Sequence, residues 1–393
     1  MGIHRKILRS VLVKPAGPDC NLNCEYCFYL KKAGLFNGKL HRMSSETQEE
    51  LIRQLLEQSS DELSVTWQGG EPSLMGLDFY RNAIDFYKKY GKGKSVSNSF
   101  QTNGLLLNQE WANFFKEFNF LVGLSIDEPK HIQDHYRKRK KGKGSWVKVM
   151  ETANMLFEQG VEVNALSCIT DYSSNHASEI FDFLKKSGFT WMQFIPILEP
   201  DKADPSKAAP FSVSANAYGK FLNEIFDLWV KDYQKGINPT SVRHIESTFY
   251  RYVGIESPEC TLQKECGIYL VIEHNGDVFA CDFFVDPKWK LGNIHEDKLI
   301  DMLNSNKMFE FGKIKSEIPE KCNTCKWLNY CFGGCPKDRM NDLRDKGKNH
   351  FCESYQVFLE HADPILKNMA KVWKQQQQQQ AFTYNANNHF RTN

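Results

Sequence analysis

The sequence predicts an α/β protein in which a parallel sheet is covered by helices and is followed by a smaller cysteine-rich module. Short β-rich runs alternate with helical stretches through the first 235 residues, which is typical of a parallel sheet with helices on its outside. The alternation stops near residues 236–239, and eight of the 12 cysteines lie beyond residue 259. Residues 374–393 include six consecutive glutamines and little that could be buried, so this segment is predicted to be a disordered tail.

The elements follow from local patterns. The predicted strands are short runs rich in apolar and β-branched residues: Ser10–Lys14, Leu63–Trp67, Val96–Gln101, Phe120–Ile126, Val161–Ile169 and Trp191–Leu198. The predicted helices are Ser45–Gln58, which opens on a Ser45/Gln48 capping pair, Leu77–Tyr90, Asn108–Phe118, Ser145–Gln159, Ala177–Ser187 and Ala215–Gln234, in which apolar residues recur at helical spacing. In the cysteine-rich module, the turn His274–Asp277 predicts a hairpin between Gly267–Glu273 and Val278–Phe283.

Composition excludes some classes of protein. A length of 393 residues allows one large domain, a smaller one and a substantial apolar core. The net charge of +2 gives no reason to expect a nucleic-acid or membrane partner, and no apolar run approaches transmembrane length. The polar start of the chain lacks the apolar core of an export signal, so we expect a cytoplasmic protein.

Three cysteines form a cluster motif directly after the first predicted strand. They are spaced Cys20-x3-Cys24-x2-Cys27, and thiolates are soft ligands that favour iron–sulfur clusters or zinc. A four-iron cluster held by three cysteines keeps one iron open, and that iron can bind the amino and carboxylate groups of S-adenosylmethionine. The alternatives are a zinc knuckle or a structural cluster with an external fourth ligand. Zinc prefers four closed ligands, and no histidine is close in sequence.

The segment Cys20-Asn21-Leu22-Asn23-Cys24-Glu25-Tyr26-Cys27 resembles the signature of the radical S-adenosylmethionine superfamily, and Gln68-Gly69-Gly70-Glu71-Pro72 resembles its glycine-rich segment. The resemblance implies a partial (β/α)6 TIM-like barrel over residues 5–235. It also implies that Cys20, Cys24 and Cys27 hold a 4Fe–4S cluster. The cofactor contacts it implies are Tyr26, Gln68, Gly70, Ser125, Arg137 and Leu198.

The eight cysteines beyond residue 259 can fully ligate two four-iron clusters, although two structural zinc sites would also fit their spacing. The arrangement is similar to the SPASM auxiliary-cluster extension of peptide-modifying radical enzymes. That resemblance implies a smaller cysteine-rich C-terminal auxiliary-cluster domain over residues 240–365, and three 4Fe–4S clusters in all. One auxiliary cluster would take Cys260, Cys266, Cys281 and Cys335, and the other would take Cys322, Cys325, Cys331 and Cys352.

The segment Cys281-Asp282-Phe283-Phe284 resembles the anaerobic sulfatase-maturating enzymes. That family oxidises a cysteine or serine of a sulfatase to Cα-formylglycine with a 5′-deoxyadenosyl radical. The resemblance implies that Asp282 is the general base. It also implies two partners: a sulfatase polypeptide with a Cys/Ser-x-Pro-x-Arg segment, and a low-potential electron donor such as flavodoxin or ferredoxin. The alternatives are another SPASM-type peptide-modifying enzyme, for example one that forms thioethers or crosslinks, and an iron–sulfur electron-transfer protein.

Overall fold

A computed structural model describes residues 5–236, 240–340 and 347–389. The strands are β1 (Leu8–Lys14), β2 (Ser59–Trp67), β3 (Ser95–Thr102), β4 (Leu121–Ser125), β5 (Val163–Ile169), β6 (Trp191–Pro196), β7 (Ser241–Val242), β8 (Leu270–Glu273), β9 (Asp277–Phe279) and β10 (Lys290–Asn293). The helices are α1 (Ser45–Gln58), α2 (Leu77–Tyr90), α3 (Gln109–Glu117), α4 (Lys130–Tyr136), α5 (Trp146–Glu158), α6 (Ala177–Lys186), α7 (Ala215–Lys235), α8 (Arg243–Val253), α9 (Leu299–Leu303), α10 (Asn306–Ser316), α11 (Leu328–Cys331), α12 (Pro336–Met340) and α13 (Cys352–His389).

All ten strands form one sheet in the order β10-β9-β8-β1-β2-β3-β4-β5-β6-β7. Strands β1 to β6 pair in parallel with their sequence neighbours, and one or two helices connect most consecutive strands. Within the described residues the sheet begins with β10 and ends with β7, so it is open. This confirms the predicted α/β class, a partial barrel with a smaller C-terminal module. The catalytic ends of such a barrel are the C-terminal ends of its strands.

The core lies between the sheet and its helices. Strand residues such as Val13, Val65 and Phe100 are completely or almost completely buried. Leu51 and Leu55, on the apolar face of α1, belong to the same core. Helix α1 has the predicted bounds, but its N-cap is Ser44, whose hydroxyl accepts from the Thr47 amide at 3.1 Å. The predicted Ser45/Gln48 pair therefore begins one residue too late, because a cap residue precedes the first helical residue.

The cysteine-rich module continues the barrel sheet. Strand β8 pairs in parallel with β1, with Val11 opposite Leu270, and β9 is antiparallel to both of its neighbours, β8 and β10. The predicted hairpin is present, with shorter strands than the sequence predicts. Because β8 pairs in parallel with β1, with Lys14 opposite Glu273, the turn after β8 lies at the same end of the barrel as the loop after β1.

Helix α13 covers most of the segment for which the sequence predicts disorder. It runs through the glutamines to His389, while residues 390–393 lie outside the described part of the chain. Glutamine is a good helix former, and neither glycine nor proline occurs between Ile365 and His389. The first half of α13 packs on α7, where Phe358 lies 5.9 Å from Phe226 between ring centres, and residues 374–380 are exposed.

The predicted limits of the two domains, 5–235 and 240–365, stay predictions. Helix α7 ends at Lys235 and β7 begins at Ser241, and residues 237–239 between them lie outside the described chain. No helix among the described residues is long and apolar enough to cross a bilayer.

Candidate active site and cluster-binding residues

The three N-terminal cysteines lie on the loop that follows β1, and all three are free thiols. The Cys20 sulfur accepts hydrogen bonds from the Leu22 amide at 3.4 Å and from Asn103 Nδ2 at 3.6 Å. Burial raises the pKa of Cys20 to about 12 and also raises the pKa of Cys24. These sulfurs therefore need a nearby positive charge in order to ionise, which is what a metal cluster supplies, and the residues fit such a group.

The glycine-rich segment after β2 runs beside the cysteine loop. The Gly70 amide donates to the Gly17 carbonyl and the Glu71 amide donates to the Asp19 carbonyl, both at 2.8 Å. A Cβ atom on Gly70 would lie 2.1 Å from the Asp19 carbonyl oxygen, so only glycine allows this approach. The structure thus places Gly70 directly against the backbone that leads into Cys20.

Glu71 is a fully buried carboxylate that ties this segment to β3. It accepts hydrogen bonds from the Ser73 amide and hydroxyl, from Thr102 Oγ1 at 2.7 Å and from the Asn103 amide at 2.8 Å. Burial raises its pKa, and these four donors favour the charged form. Glu71 has no role of its own among the sequence-based predictions, although its place in the Gly-Gly-Glu-Pro segment was a signal that could have found it.

A buried ion pair connects α4 to the cysteine loop. Arg137 donates to Asp127 through Nε at 2.7 Å and through a terminal nitrogen at 3.1 Å, and the Tyr26 hydroxyl also donates to Asp127. The Arg137 guanidinium lies 5.4 Å from the centre of the Tyr26 ring. Cys168, which the sequence analysis treats as a core residue, lies at this ion pair, because its sulfur accepts from Arg137 at 3.5 Å.

The remaining predicted cofactor contacts lie at the C-terminal ends of their strands. Gln68 follows β2, Ser125 is the last residue of β4, and Leu198 follows β6 and is fully buried. Lys337 Nζ donates to the Leu198 carbonyl at 2.6 Å and lies 3.1 Å from the Glu199 carboxylate. The cysteine-rich module therefore contacts the end of the barrel at β6 as well as at β1.

Asp282 lies where the two modules meet. Its carboxylate is buried and accepts from Gln68 Nε2 and from the Tyr269 hydroxyl, each at 3.4 Å. The neighbouring residue is Cys281, a predicted cluster ligand. The structure thus brings the predicted base beside a predicted cofactor contact that is 214 residues away in the chain.

Lys14, the last residue of β1, is a fully buried cation that the sequence analysis missed. Its Nζ lies 3.6 Å from the centre of the Tyr29 ring. Burial lowers the pKa of Lys14, and the nearby carboxylates of Glu273 and Asp282 oppose that shift. The C-terminal ends of the barrel strands carry polar groups into this site. The position of Lys14, directly before the cysteine loop, could therefore have identified it as a site residue from the sequence.

The eight C-terminal cysteines separate into two groups in space. Cys322, Cys325, Cys331 and Cys352 line a single cavity. Cys335 lies with Cys281 and Cys260 instead. Burial and the Asp338 carboxylate are the main causes that raise the pKa of the Cys335 thiol, and Cys281 and Cys260 are the next. A buried cation lies at the group that contains Cys260, since Lys315 Nζ donates to the Cys260 carbonyl at 2.6 Å. Four cysteine side chains around one cavity fit a fully ligated cluster.

Comparison with known proteins agrees with this geometry. Residues 15–192 match the Radical SAM superfamily and residues 264–326 match the SPASM iron-sulfur cluster-binding domain. The chain is 39% identical to a serine-type anaerobic sulfatase-maturating enzyme of Bacteroides thetaiotaomicron, over 93% of this chain and 92% of that protein. The chain belongs to the anaerobic sulfatase-maturating enzymes. A cysteine-type member of this family from Clostridium novyi is 37% identical, over 92% of this chain and 96% of the other.

Solved structures give the same result for this sulfatase-maturating enzyme. Native anSMEcpe with bound AdoMet and Cp18Cys peptide superposes with a TM-score of 0.86 at 34% identity, over 93% of this chain and 99% of that one. Streptococcus suis SuiB bound to its precursor peptide SuiA shares the fold, with a TM-score of 0.62 at 18% identity over 89% of this chain and 76% of that one. The predicted family, activity and cofactors are confirmed: the protein is a radical enzyme that uses S-adenosylmethionine, a 4Fe–4S cluster and auxiliary iron–sulfur clusters.

Proposed function

We propose that this enzyme oxidises the Cβ of a cysteine or serine in a sulfatase polypeptide, within a Cys/Ser-x-Pro-x-Arg segment, and that Asp282 is the general base. The observation that carries this proposal is the contact between Asp282 and Gln68 at 3.4 Å. Gln68 is a predicted cofactor contact at the end of β2. The proton acceptor Asp282 and the cofactor would therefore both lie close to the substrate Cβ and its thiol or hydroxyl. A base must lie within hydrogen-bond reach of the proton that it removes.

When bound, the reduced cluster and S-adenosylmethionine supply the radical that removes hydrogen from Cβ. The chain's own residues then have separate tasks. Asp282 would accept the proton of the substrate thiol or hydroxyl at its carboxylate, and the auxiliary cluster held by Cys281 would take the electron that then remains on the substrate. The buried Lys14 lies close enough to Asp282 for the two opposite charges to attract each other. Tyr26 and Arg137, through Asp127, hold the cysteine loop in position.

The ligand sets are part of the same proposal. Cys20, Cys24 and Cys27 would hold the cluster that binds the cofactor. The auxiliary clusters would take Cys260, Cys266, Cys281 and Cys335, and Cys322, Cys325, Cys331 and Cys352. The grouping is supported by the cavity that the second set lines and by the electrostatic coupling of Cys335 to Cys281 and Cys260.

The partners follow from this chemistry. A low-potential donor such as flavodoxin or ferredoxin would reduce the clusters. A cytoplasmic location is supported by twelve cysteines that form no disulfide, since a reducing compartment keeps thiols reduced. Both serine-type and cysteine-type enzymes occur among the relatives, so the proposal includes either target residue.

The test uses anaerobically reconstituted enzyme, a reductant, S-adenosylmethionine and a Cys-x-Pro-x-Arg or Ser-x-Pro-x-Arg peptide. Peptide mass and 5′-deoxyadenosine are followed together. The wild type should give a mass loss that matches formylglycine. Asp282→Asn should still release deoxyadenosine but should lose the peptide product. Asp286→Asn is the matched control, because Asp286 caps a short turn through the Lys288 amide and an asparagine can do the same.

Two results would count against the proposal. If Asp282→Asn makes formylglycine at the wild-type rate, Asp282 is not the base. If deoxyadenosine forms while both peptides stay unchanged, the substrate is another peptide, as in the alternative SPASM-type enzymes.

A further inference from the structure

A cluster of metal-ligating side chains lies outside the site described above. His131 is on α4, while His176 directly precedes α6 and Glu179 is in its first turn. The potential ligand atoms of these three residues all lie within 4.8 Å of one another. The sequence analysis singled out none of them, because they are separated by up to 48 residues in the chain and meet only through the fold.

Two of the three ligand separations in the cluster are close to those of a zinc site. One carboxylate oxygen, Glu179 Oε2, lies 3.0 Å from His176 Nδ1 and 3.7 Å from His131 Nε2. Two ligands at roughly 2.0–2.1 Å from one tetrahedral zinc ion are about 3.3–3.4 Å apart, so the two observed separations bracket that value. The ring centres of the two histidines are 5.2 Å apart, and 45% of the His131 side chain and 29% of the His176 side chain are exposed to solvent.

We propose that His131, His176 and Glu179 bind a divalent transition-metal ion of the zinc class. Two imidazoles and a carboxylate favour zinc and similar ions, whereas magnesium and calcium prefer oxygen ligands alone. With three protein ligands, the fourth position would hold water. Such an ion would join α4, which precedes β5 in the chain, to α6, which follows β5.

The position of α4 gives this site a consequence for the radical centre. Helix α4 carries Gln133, whose side-chain oxygen accepts from the Asp127 amide at 2.7 Å, and it is followed directly by Arg137, which pairs with the same aspartate. Asp127 in turn accepts from Tyr26 in the cysteine loop. An ion that fixes the start of α4 would therefore restrict the helix that positions Asp127. This inference does not depend on the proposed substrate or base.

The experiment measures zinc in the intact, cluster-loaded enzyme. The clusters are reconstituted first, zinc is added anaerobically by equilibrium dialysis, and zinc and iron are counted per chain. The wild type should retain about one zinc more than Glu179→Gln, at equal iron content. His131→Gln should weaken zinc binding by at least about tenfold, since it removes one of three ligands. His361→Gln is the matched control, because His361 pairs with Asp227 at 2.7 Å on an exposed surface outside the cluster.

Zinc X-ray absorption distinguishes this site from the cysteines. Nitrogen and oxygen ligands without sulfur, together with imidazole scattering, are the expected signature. Sulfur at about 2.3 Å would show that zinc had entered a cysteine site instead, and that result would overturn the proposal. Equal zinc retention by the wild type and by Glu179→Gln would overturn it as well.

Discussion

Replacing Gly70 with alanine should disable the radical site through a single methyl group. The added Cβ would lie 2.1 Å from the Asp19 carbonyl oxygen, 2.6 Å from the Asp19 carbonyl carbon and 2.7 Å from that of Pro18. All three atoms belong to the backbone, so no side-chain rotation can relieve the clash. To restore an ordinary contact of 3.4 Å, the glycine-rich segment and the cysteine loop must separate by about 1.3 Å.

That separation has two costs. It strains the Gly70–Gly17 and Glu71–Asp19 hydrogen bonds, each worth about 0.5–1.5 kcal/mol. It also moves Cys20, the next residue after Asp19, relative to the predicted cofactor contacts. A displacement of about 1 Å at a reacting centre can lower the rate about 10²-fold, and we expect a loss of that order in deoxyadenosine formation.

The assay compares deoxyadenosine release by reconstituted wild type, Gly70→Ala and Gly34→Ala. Gly34 is the control because a Cβ there would meet nothing within 4 Å. Both variants should retain the iron of the auxiliary clusters, since those cysteines are elsewhere. A wild-type rate for Gly70→Ala would refute the steric argument. An equal loss in Gly34→Ala would show that the assay reports general damage to the loop.

Three further predictions concern buried charges. Burial raises the pKa of Glu128 to about 8, although a hydrogen bond from Trp146 lowers it, so the folded protein holds a proton that the unfolded chain loses above pH 4.5. The free energy of unfolding should therefore fall by up to about 5 kcal/mol as the pH rises from about 4.5 to 8, and Glu128→Gln should not show this fall. An equal change in unfolding free energy between pH 6 and pH 8 in both proteins would contradict this. Asp127→Asn should cost about 3–5 kcal/mol, because it leaves the buried Arg137 without its carboxylate, and an unchanged thermal unfolding temperature of the holoenzyme would count against it. Lys337→Met should weaken S-adenosylmethionine binding about tenfold in equilibrium dialysis, because the Leu198 carbonyl loses its charged donor; equal affinity would show that Lys337 does not position Leu198, a predicted cofactor contact.

The sequence predicted the barrel well because each strand and helix carries a strong local signal. Helices α1 and α2 have the bounds that capping and periodicity predicted. Helix α4 was missed, since its seven residues are too few to show an apolar period. The short strands β7 and β10 were missed for the same reason, and the glutamine tract was assigned to disorder because its lack of apolar groups outweighed its helix propensity.

The candidate site divides in the same way. Cysteines and the Gly-Gly-Glu-Pro segment can be recognised from sequence, because spacing along the chain is enough to identify them. The groups around these motifs cannot be recognised from the sequence. The pairing of Asp127 with Arg137, and the position of Lys14 on the Tyr29 ring, depend on which strand ends lie side by side. Cys168 was treated as a core residue because a strand sequence alone does not tell which of its faces meets the active site.

The parallel pairing of β1 with β8 has a consequence for how the enzyme is made. Val11 finds its partner Leu270 only after 259 further residues have been synthesised, which takes roughly 13–50 s at about 5–20 residues per second on a ribosome. The cysteine loop therefore leaves the ribosome long before Asp282 exists. During that interval the nascent chain carries an exposed edge on β1 and three thiols, without the carboxylate proposed as the base. Chaperoning and timed iron–sulfur delivery would matter most in this interval.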